Sequence, residues 1–248
     1  MKRIAIIGHG AMGREVEQLA EPLGMTIAGV YDLDRPITSI TSADFDVAID
    51  FSWPDAVIDN VRAVSALNRP IVIGTTGWYD HMDAVKSIIE TSSVGCVWGS
   101  NFNIGTHLFA RIVQRAAQLV DAHSSFDVMV HEWHHKRKRD SPSGTALTLA
   151  STIMEVLSRK TSISTETQHE KIDPAALHVS STRGGEVIGR HQVTIDGPYE
   201  TIDIIHSAKN RQGFAQGALL AASWIYGRTG FYDIANVIDS LTTETSGT

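Results

Sequence analysis

Arg3-Ile4-Ala5-Ile6-Ile7-Gly8-His9-Gly10-Ala11-Met12-Gly13-Arg14-Glu15-Val16-Glu17-Gln18-Leu19-Ala20 opens the chain and decides how its first half folds. An apolar, β-type run at 3–7 feeds a G-x-G-x-x-G turn from Gly8 to Gly13, and a helical pattern follows from Arg14. That order of strand, glycine turn and helix is the one a dinucleotide fingerprint requires. The first glycine makes the tight turn, the second lets the backbone approach a pyrophosphate, and the third lets helix and strand pack closely. Gly8, Gly10, Ala11, Met12 and Gly13 are therefore candidate cofactor residues at a helix N-terminus, where unpaired N–H groups favour an anion. A glycine-rich turn that binds no nucleotide is the competing reading, and the next strand weighs against it. Thr26-Ile27-Ala28-Gly29-Val30-Tyr31 ends in Asp32, about 20 residues beyond the glycines, where a carboxylate accepts hydrogen bonds from a ribose 2′-OH. Asp34 is the near alternative.

Outward from this unit the same grammar repeats. Strands are expected at 46–52, at 70–77 ending in the flexible turn Gly74-Thr75-Thr76-Gly77, and at 94–99 closed by Ser100-Asn101-Phe102-Asn103. Pro54 stands where a helix running to about 67 begins, a favoured first-turn position. Strands alternating with helices give an α/β, Rossmann-type, doubly wound parallel sheet, with its ligand crevice at the carboxyl ends of the strands. After residue 103 the pattern changes. A helix at 105–121 leads to an apolar strand at 126–130, a charged cluster, and a helix to about 159; strands then follow at 177–183, 187–195 and 200–207 without intervening helices. Gly184-Gly185 and Gly197-Pro198 mark turns between them. This is an α+β domain with a mixed or antiparallel sheet, one face under its helices and the other open for pairing with another subunit. A last helix at about 214–226 returns to the first domain. The expected division is 1–103 with 214–248 for dinucleotide binding, and 104–213 for substrate binding and oligomerisation.

Composition excludes several classes. With 248 residues, 42% of them hydrophobic, the chain can bury a sizeable core. Its net charge of −7 speaks against nucleic-acid binding, which needs a basic face across the domain. The single cysteine, Cys96, lies in an apolar run and reads as a buried thiol in a reducing compartment. No secretory signal pattern and no apolar stretch of membrane-spanning length is found, so a cytoplasmic location is expected.

Against that acidic background one stretch concentrates positive charge: His131-Glu132-Trp133-His134-His135-Lys136-Arg137-Lys138-Arg139-Asp140-Ser141-Pro142-Ser143-Gly144-Thr145-Ala146. Three histidines and four cationic side chains within nine positions repel one another, so the run is either a solvated basic loop or a site that takes an anion. Its second half tips the choice, because Ser141 to Thr145 has the hydroxyl caps and small residues of a helix start. Such a terminus offers free N–H groups and the positive end of the helix dipole to a carboxylate or phosphate. Metal ligation by His131, His134 and His135 is the rival, but Lys136, Arg137, Lys138 and Arg139 would repel a divalent ion, and no metal is expected.

These residues carry a resemblance. The chain resembles the 4-hydroxy-tetrahydrodipicolinate reductase (dihydrodipicolinate reductase) family at Gly8 to Gly13, 46–52, Gly74 to Gly77, Asn101 to Asn103, the charged cluster, 181–186 and 206–217. The most specific part is His134-His135 followed by Lys138, Asp140 and Pro142-Ser143-Gly144-Thr145-Ala146. The resemblance implies nicotinamide-dependent reduction of a small cyclic dicarboxylate on the diaminopimelate route to lysine, in a homotetramer. It implies His134 in proton transfer and Lys138 in proton donation or charge stabilisation. It also implies that His135, Lys138, Ser143, Gly144 and Thr145 bind the substrate's carboxylates. Phe51, Gly74, Thr75, Thr76, Asn101, Phe102 and Asn103 are similar to loops that line the nicotinamide, and Arg211 and Phe214 match the family's hinge near the cofactor. Two departures stand out: the glycine turn is one residue tighter than the common family form, and the segment between Asp34 and Asp46 is short.

Reduction of a conjugated cyclic imine needs hydride at one carbon, a proton where negative charge develops, and cations to hold the dicarboxylate. A histidine suits proton handling near neutral pH. Two other functions share part of this pattern. A dehydrogenase of a small amino-dicarboxylate, of the aspartate type, would share the anion cradle without needing the histidine pair. A non-catalytic nicotinamide-binding sensor would need neither donor nor cradle. Asp32 favours NADH over NADPH by charge, while Arg35, His9 and Arg14 could offset part of that, so NADH is expected to be preferred with measurable NADPH activity.

Overall fold

In a computed structural model that describes residues 1–244, with side-chain surroundings through residue 241, the opening segment forms β1 (Lys2–Ile7), the glycine turn and α1 (Ala11–Ala20). There follow β2 (Met25–Tyr31), β3 (Val47–Asp50), α2 (Val57–Ala66), β4 (Ile71–Ile73), α3 (Met82–Ser92) and β5 (Gly95–Trp98). The middle of the chain holds α4 (Ile104–Asp121), β6 (Asp127–His134), α5 (Gly144–Met154), β7 (Ser162–Ser164), β8 (Ala176–Arg183), β9 (Arg190–Asp196) and β10 (Thr201–Ser207). It closes with α6 (Gln212–Ile225), β11 (Gly230–Asp233) and α7 (Ile234–Glu244). Two compact units result, Met1–Ile104 together with the segment from Arg211 onward, and Gly105–Asn210. The second crossing falls at 210/211 rather than 213/214, because the returning chain enters α6 directly with Arg211 as its N-cap.

The first unit is a parallel sheet in the order β11-β5-β4-β3-β1-β2. Alternation sorts its side chains into two cores. Ile4 and Ile6 face α1, α6 and α7, whereas Ala5 and Ile7 face α2 and α3. Both faces are covered, which is why these strands read as unbroken apolar runs rather than alternating ones. Strand order reverses between β1 and β3, and such a switch point opens a crevice at the strands' carboxyl ends. The ends are laced together there, with Phe51 N donating to Ile7 O at 2.8 Å and Gly74 N to Asp50 O at 2.8 Å.

The second unit is a mixed sheet in the order β10-β9-β6-β8-β7, antiparallel at β10-β9 and β9-β6 and parallel at β6-β8 and β8-β7. Val128, Val130, Leu177, Val179, Val193 and Ile195 pack under Phe109, Val113 and Ala117 of α4 and Leu149 and Ile153 of α5. On the other face Met129 and Ile205 remain exposed. The expected helix to 159 stops at Met154. Tertiary partners take over there: Ser158 N donates to Asp121 Oδ1 at 2.8 Å and Arg159 Nη1 to Val120 O at 2.9 Å, at the end of α4. The short strands β7 and β11 were not anticipated from the sequence pattern.

Candidate active site

The glycine turn divides its labour. Gly8 has φ of +86°, and a Cβ there would stand 2.4 Å from Phe51 O; one on Gly13 would stand 2.1 Å from Gly8 O. Both glycines are thus demanded by the protein's own backbone. Gly10, the N-cap of α1, has an ordinary φ of −73°, and a Cβ there would meet nothing within 4 Å. The fold does not need a glycine at 10, so the open space over the helix N-terminus fits the backbone approach of a pyrophosphate. Asp32 completes this end. Its carboxylate accepts from His9 N at 3.0 Å and Leu33 N at 2.9 Å, and these backbone bonds, the one from His9 first, hold its pKa below the usual carboxylate value. Asp34 is exposed in the turn, and the Arg35 guanidinium lies over the Tyr31 ring at 5.1 Å rather than over either carboxylate.

At the other carboxyl ends Phe51, Gly74 and Phe102 come together. A Cβ on Gly74 would fall 2.1 Å from the Phe51 ring, whose edge meets the Phe102 ring at 6.3 Å between centroids. Thr75 turns inward: its Oγ1 donates to Asp50 Oδ1 at 2.9 Å, and only Thr76 of the pair is exposed. Asp50, which the sequence reading passed over, is fully buried and also accepts from Ser52 N at 2.8 Å and Asn60 Nδ2 at 3.0 Å. Burial pushes its carboxyl pKa up in spite of those bonds. Asp50 thereby ties the loops after β3 and β4 to each other. Asn103 N donates to Asn101 Oδ1 at 2.8 Å, and Phe102 packs its carbonyl so closely on α6 that a Cβ at Gly217 would stand 1.7 Å from it. Arg211 and Phe214 lie at the first turn of that helix, Phe214 half-buried and Arg211 exposed.

In the second unit the decisive element is β6. Asp127, Met129, His131 and Trp133 face one side; Val128, Val130, Glu132 and His134 face the other. The cluster read as continuous is therefore split by alternation. His131 lies opposite His134, with its Nδ1 2.5 Å from Ser180 Oγ and its ring against Trp133, and burial lowers its pKa. Glu132 and His134 instead extend the apolar face of the strand, and Glu132 is fully buried. Its Oε1 accepts three bonds, from Arg183 Nη2 at 2.6 Å, Ser143 N at 2.9 Å and Ser181 Oγ at 2.9 Å. Its Oε2 stands 2.5 Å from His134 Nδ1. Burial alone would raise this carboxyl, but the bonds from His134, Arg183, Ser143 and Ser181 outweigh it and hold it far below the usual range. His191, opposite Glu132 on β9, has its Nε2 3.2 Å from Ser143 Oγ. Burial, then the neighbouring His134, lowers its pKa to about 4, so this ring is neutral at physiological pH.

The loop after β6 resolves its own repulsion. Arg137 pairs with Glu186 at 2.5 Å, and Lys138 Nζ with Asp140 Oδ1 at 2.9 Å. His135 is fixed by its amide on Val187 O at 2.7 Å and accepts Arg137 N at its Nδ1. Ser143 is almost fully buried and is the N-cap of α5, its Oγ accepting Ala146 N at 3.2 Å. Its own N–H is spent on Glu132, and the Gly144 amide is bonded to the Asp140 carboxylate, so a substrate anion at this helix start would take Asp140's place. A Cβ on Gly144 would meet nothing within 4 Å. Glu132, His134 and His191 also place ligand-type atoms within 4.8 Å of one another, a spacing that could hold a metal ion. Arg183 already supplies the positive charge that Glu132 is matched to, which disfavours a divalent ion there. Sequence reasoning missed Glu132, Arg183 and His191 as a set; the available signal was an acidic residue at an even position of a strand whose two preceding even positions are valines.

Comparison with known proteins places this geometry. Family models for the N-terminus and the C-terminus of dihydrodipicolinate reductase match residues 2–102 and 105–238. A 4-hydroxy-tetrahydrodipicolinate reductase of Christiangramia forsetii is 35% identical over 240 residues, covering 96% of this chain and 98% of that protein. One from Caldanaerobacter subterraneus is 34% identical over 252 residues with the same coverage. Among solved structures, a dipicolinate-bound dihydrodipicolinate reductase from Paenisporosarcina matches with a TM-score of 0.73 and 25% identity over 95% of this chain and 99% of that one.

Proposed function

We propose that this chain, which belongs to the dihydrodipicolinate reductase family, reduces 4-hydroxy-tetrahydrodipicolinate to tetrahydrodipicolinate with a pyridine nucleotide, on the diaminopimelate route to lysine. The observation that carries the reading is the pairing of family models over both halves with a proton donor, a cation and a helix N-terminus clustered after β6. The dinucleotide, when bound, supplies hydride. Gly8, Gly10, Ala11, Met12 and Gly13 would hold its pyrophosphate and Asp32 its ribose, with Phe51, Gly74, Thr75, Thr76, Asn101, Phe102, Asn103, Arg211 and Phe214 toward the nicotinamide. Thr75 would contribute through backbone, since its hydroxyl is committed to Asp50. His134 would deliver the proton; Lys138 and His135, with the amides of Gly144 and Thr145, would hold the carboxylates, and Ser143 would set that helix start in place. In an assay where the upstream synthase generates the labile substrate in place, the protein is expected to oxidise the reduced nicotinamide. Oxidation no faster than in the substrate-free blank would refute the assignment.

NADH is the preferred donor in this reading, with measurable NADPH activity. Asp32 is held ionised at the end of β2, and a unit charge about 4 Å from a 2′-phosphate costs about 1 kcal/mol at water-like and about 4 kcal/mol at surface-like dielectric. The site is open to solvent, which favours the lower figure. Asp32→Ser is expected to shift the NADH/NADPH ratio of kcat/KM toward NADPH by about fivefold or more. A wild-type preference for NADPH, or a ratio the substitution does not move, would contradict this.

The oligomer proposed is a homotetramer built on the open face of the second sheet, where Met129 is 40% and Ile205 47% exposed. Light scattering at micromolar concentration should give about four chain masses, and a monomer would exclude it. We place the enzyme in the cytoplasm, in keeping with one buried, unpaired cysteine; no helix among the described residues is long and apolar enough to cross a membrane.

A further inference from the structure

We infer that Glu132 is the positioning residue of the proton donor: it keeps a proton on His134 Nδ1 and so reserves Nε2 as the atom that meets substrate. The inference rests on the reading of His134 as proton donor. Glu132 Oε2 and His134 Nδ1 are both buried, stand 2.5 Å apart, and have no other hydrogen-bond partner. Two buried acceptors cannot rest at that distance, so one proton lies between them. It belongs to the ring, because Arg183, Ser143 N and Ser181 converge on Oε1 and keep the carboxylate ionised. The neutral ring is then the Nδ1–H tautomer, and the protonated ring carries its second proton on Nε2.

A separate observation concerns that second nitrogen. Gly189, just before β9, has no Cβ; one built there would stand 3.1 Å from His134 Nε2 and 3.8 Å from the His191 ring. Any side chain at 189 would crowd the atom that must stay open, whereas nothing in the local backbone asks for glycine, since its φ lies outside the left-handed region. Carboxylate on one nitrogen and clearance at the other are what a one-directional proton donor requires.

The charged and titratable groups around the ring are Glu132 on its own strand, Arg183 on β8, His191 on β9 and Lys138 in the following loop, with His206 of β10 acting on His191. His191 and His206 are both shifted by burial toward the neutral form, and Arg183 stays charged. Of the remaining groups, His134 touches Glu132 whereas Lys138 is paired with Asp140, so a basic limb in the pH profile of kcat/KM that moves when Glu132 is changed reports the Glu132–His134 pair. With the carboxylate removed, the protonated ring loses its partner, so that limb moves to lower pH.

Glu132→Gln is expected to lower kcat by about tenfold to a hundredfold and to move the basic limb to lower pH by about one unit or more, with dinucleotide affinity unchanged. Loss of kcat with an unmoved limb would make Glu132 a folding residue only and overturn the proposal, as would an unchanged kcat. Should that variant fail to fold, the wild-type protein decides. Long-range 1H–15N correlation spectra of 15N-histidine-labelled protein, with the His134 signal assigned by its loss in His134→Gln, should show the proton on Nδ1 of the neutral ring, and a proton on Nε2 overturns the inference. That measurement is independent of turnover, so a failed activity assay would refute the proposed reaction without touching it.

Discussion

Replacing His134 with alanine is expected to lower kcat by about a hundredfold or more, a loss of about 2.7 kcal/mol of transition-state stabilisation, while leaving the dinucleotide dissociation constant within about twofold. The separation follows from where the residues lie. His134 belongs to β6 in the second unit, whereas the glycine turn and Asp32 belong to the first, each unit with a core of its own. Lys138→Ala should lose turnover comparably, with a rise in KM as well, because in this reading its ammonium also holds a substrate carboxylate in the ground state. Removing Lys138 also strips Asp140 of its ion-pair partner. Asp140 is more than half exposed, so the stability change should be small. Steady-state kinetics with a fluorescence titration of the reduced nicotinamide checks both variants. Near wild-type rates in the two would end the assignment of the cluster as catalytic.

Gly217→Ala in α6 is expected to destabilise the first unit by about 3 kcal/mol or more, although alanine is the better helix former by about 1 kcal/mol. The added methyl would stand 1.7 Å from Phe102 O, a backbone atom that cannot rotate away, so the helix itself must shift off the sheet. For a chain of this size the melting temperature should fall by about 6–12 °C. Gly10→Ala is the paired control: with open space around the new Cβ and an allowed φ, the melting temperature should hold or rise slightly, while dinucleotide affinity falls. A Gly217→Ala protein that melts with the wild type would refute the packing argument, and a Gly10→Ala protein with undiminished affinity would detach the turn from cofactor binding.

Legibility in the sequence followed locality. The parallel unit could be read because its signals are local: the glycine spacing, the apolar runs and the acidic residue closing β2 each sit in one short stretch. β11 escaped because Gly230-Phe231-Tyr232-Asp233 is too short for a pattern and becomes a strand by lying beside β5. The overrun of α5 had the same origin, since the helix yields to bonds from Ser158 and Arg159 to the end of α4, residues distant in sequence. In the site, the residue types after β6 were visible but their partition was not. Counting three histidines in one cluster overlooked that consecutive strand residues face opposite ways, which sends His131 to the Ser180 side and His134 to the Glu132 side. Arg183 and His191 come from β8 and β9, and only the register Glu132↔His191 and His134↔Arg183 brings them to the carboxylate. Ser143 was expected to offer its amide to a substrate carboxylate, and here that N–H donates to Glu132 while the hydroxyl caps α5.

β6 carries one further consequence, for how this chain tolerates change. The same face of a single strand serves first as core, at Val128 and Val130, and then as ionic machinery, at Glu132 and His134. No boundary within the strand separates the two uses; only parity does. Inserting or deleting one residue anywhere from 127 to 131 would exchange the faces beyond it, setting Trp133 toward Arg183 and moving Glu132 to the face that carries Met129. Substitutions in the first half can be absorbed by neighbouring apolar side chains, but a change in length cannot. A random insertion library should therefore leave β6 empty of functional members, while the exposed polar loop at 166–171, outside any strand, accepts them.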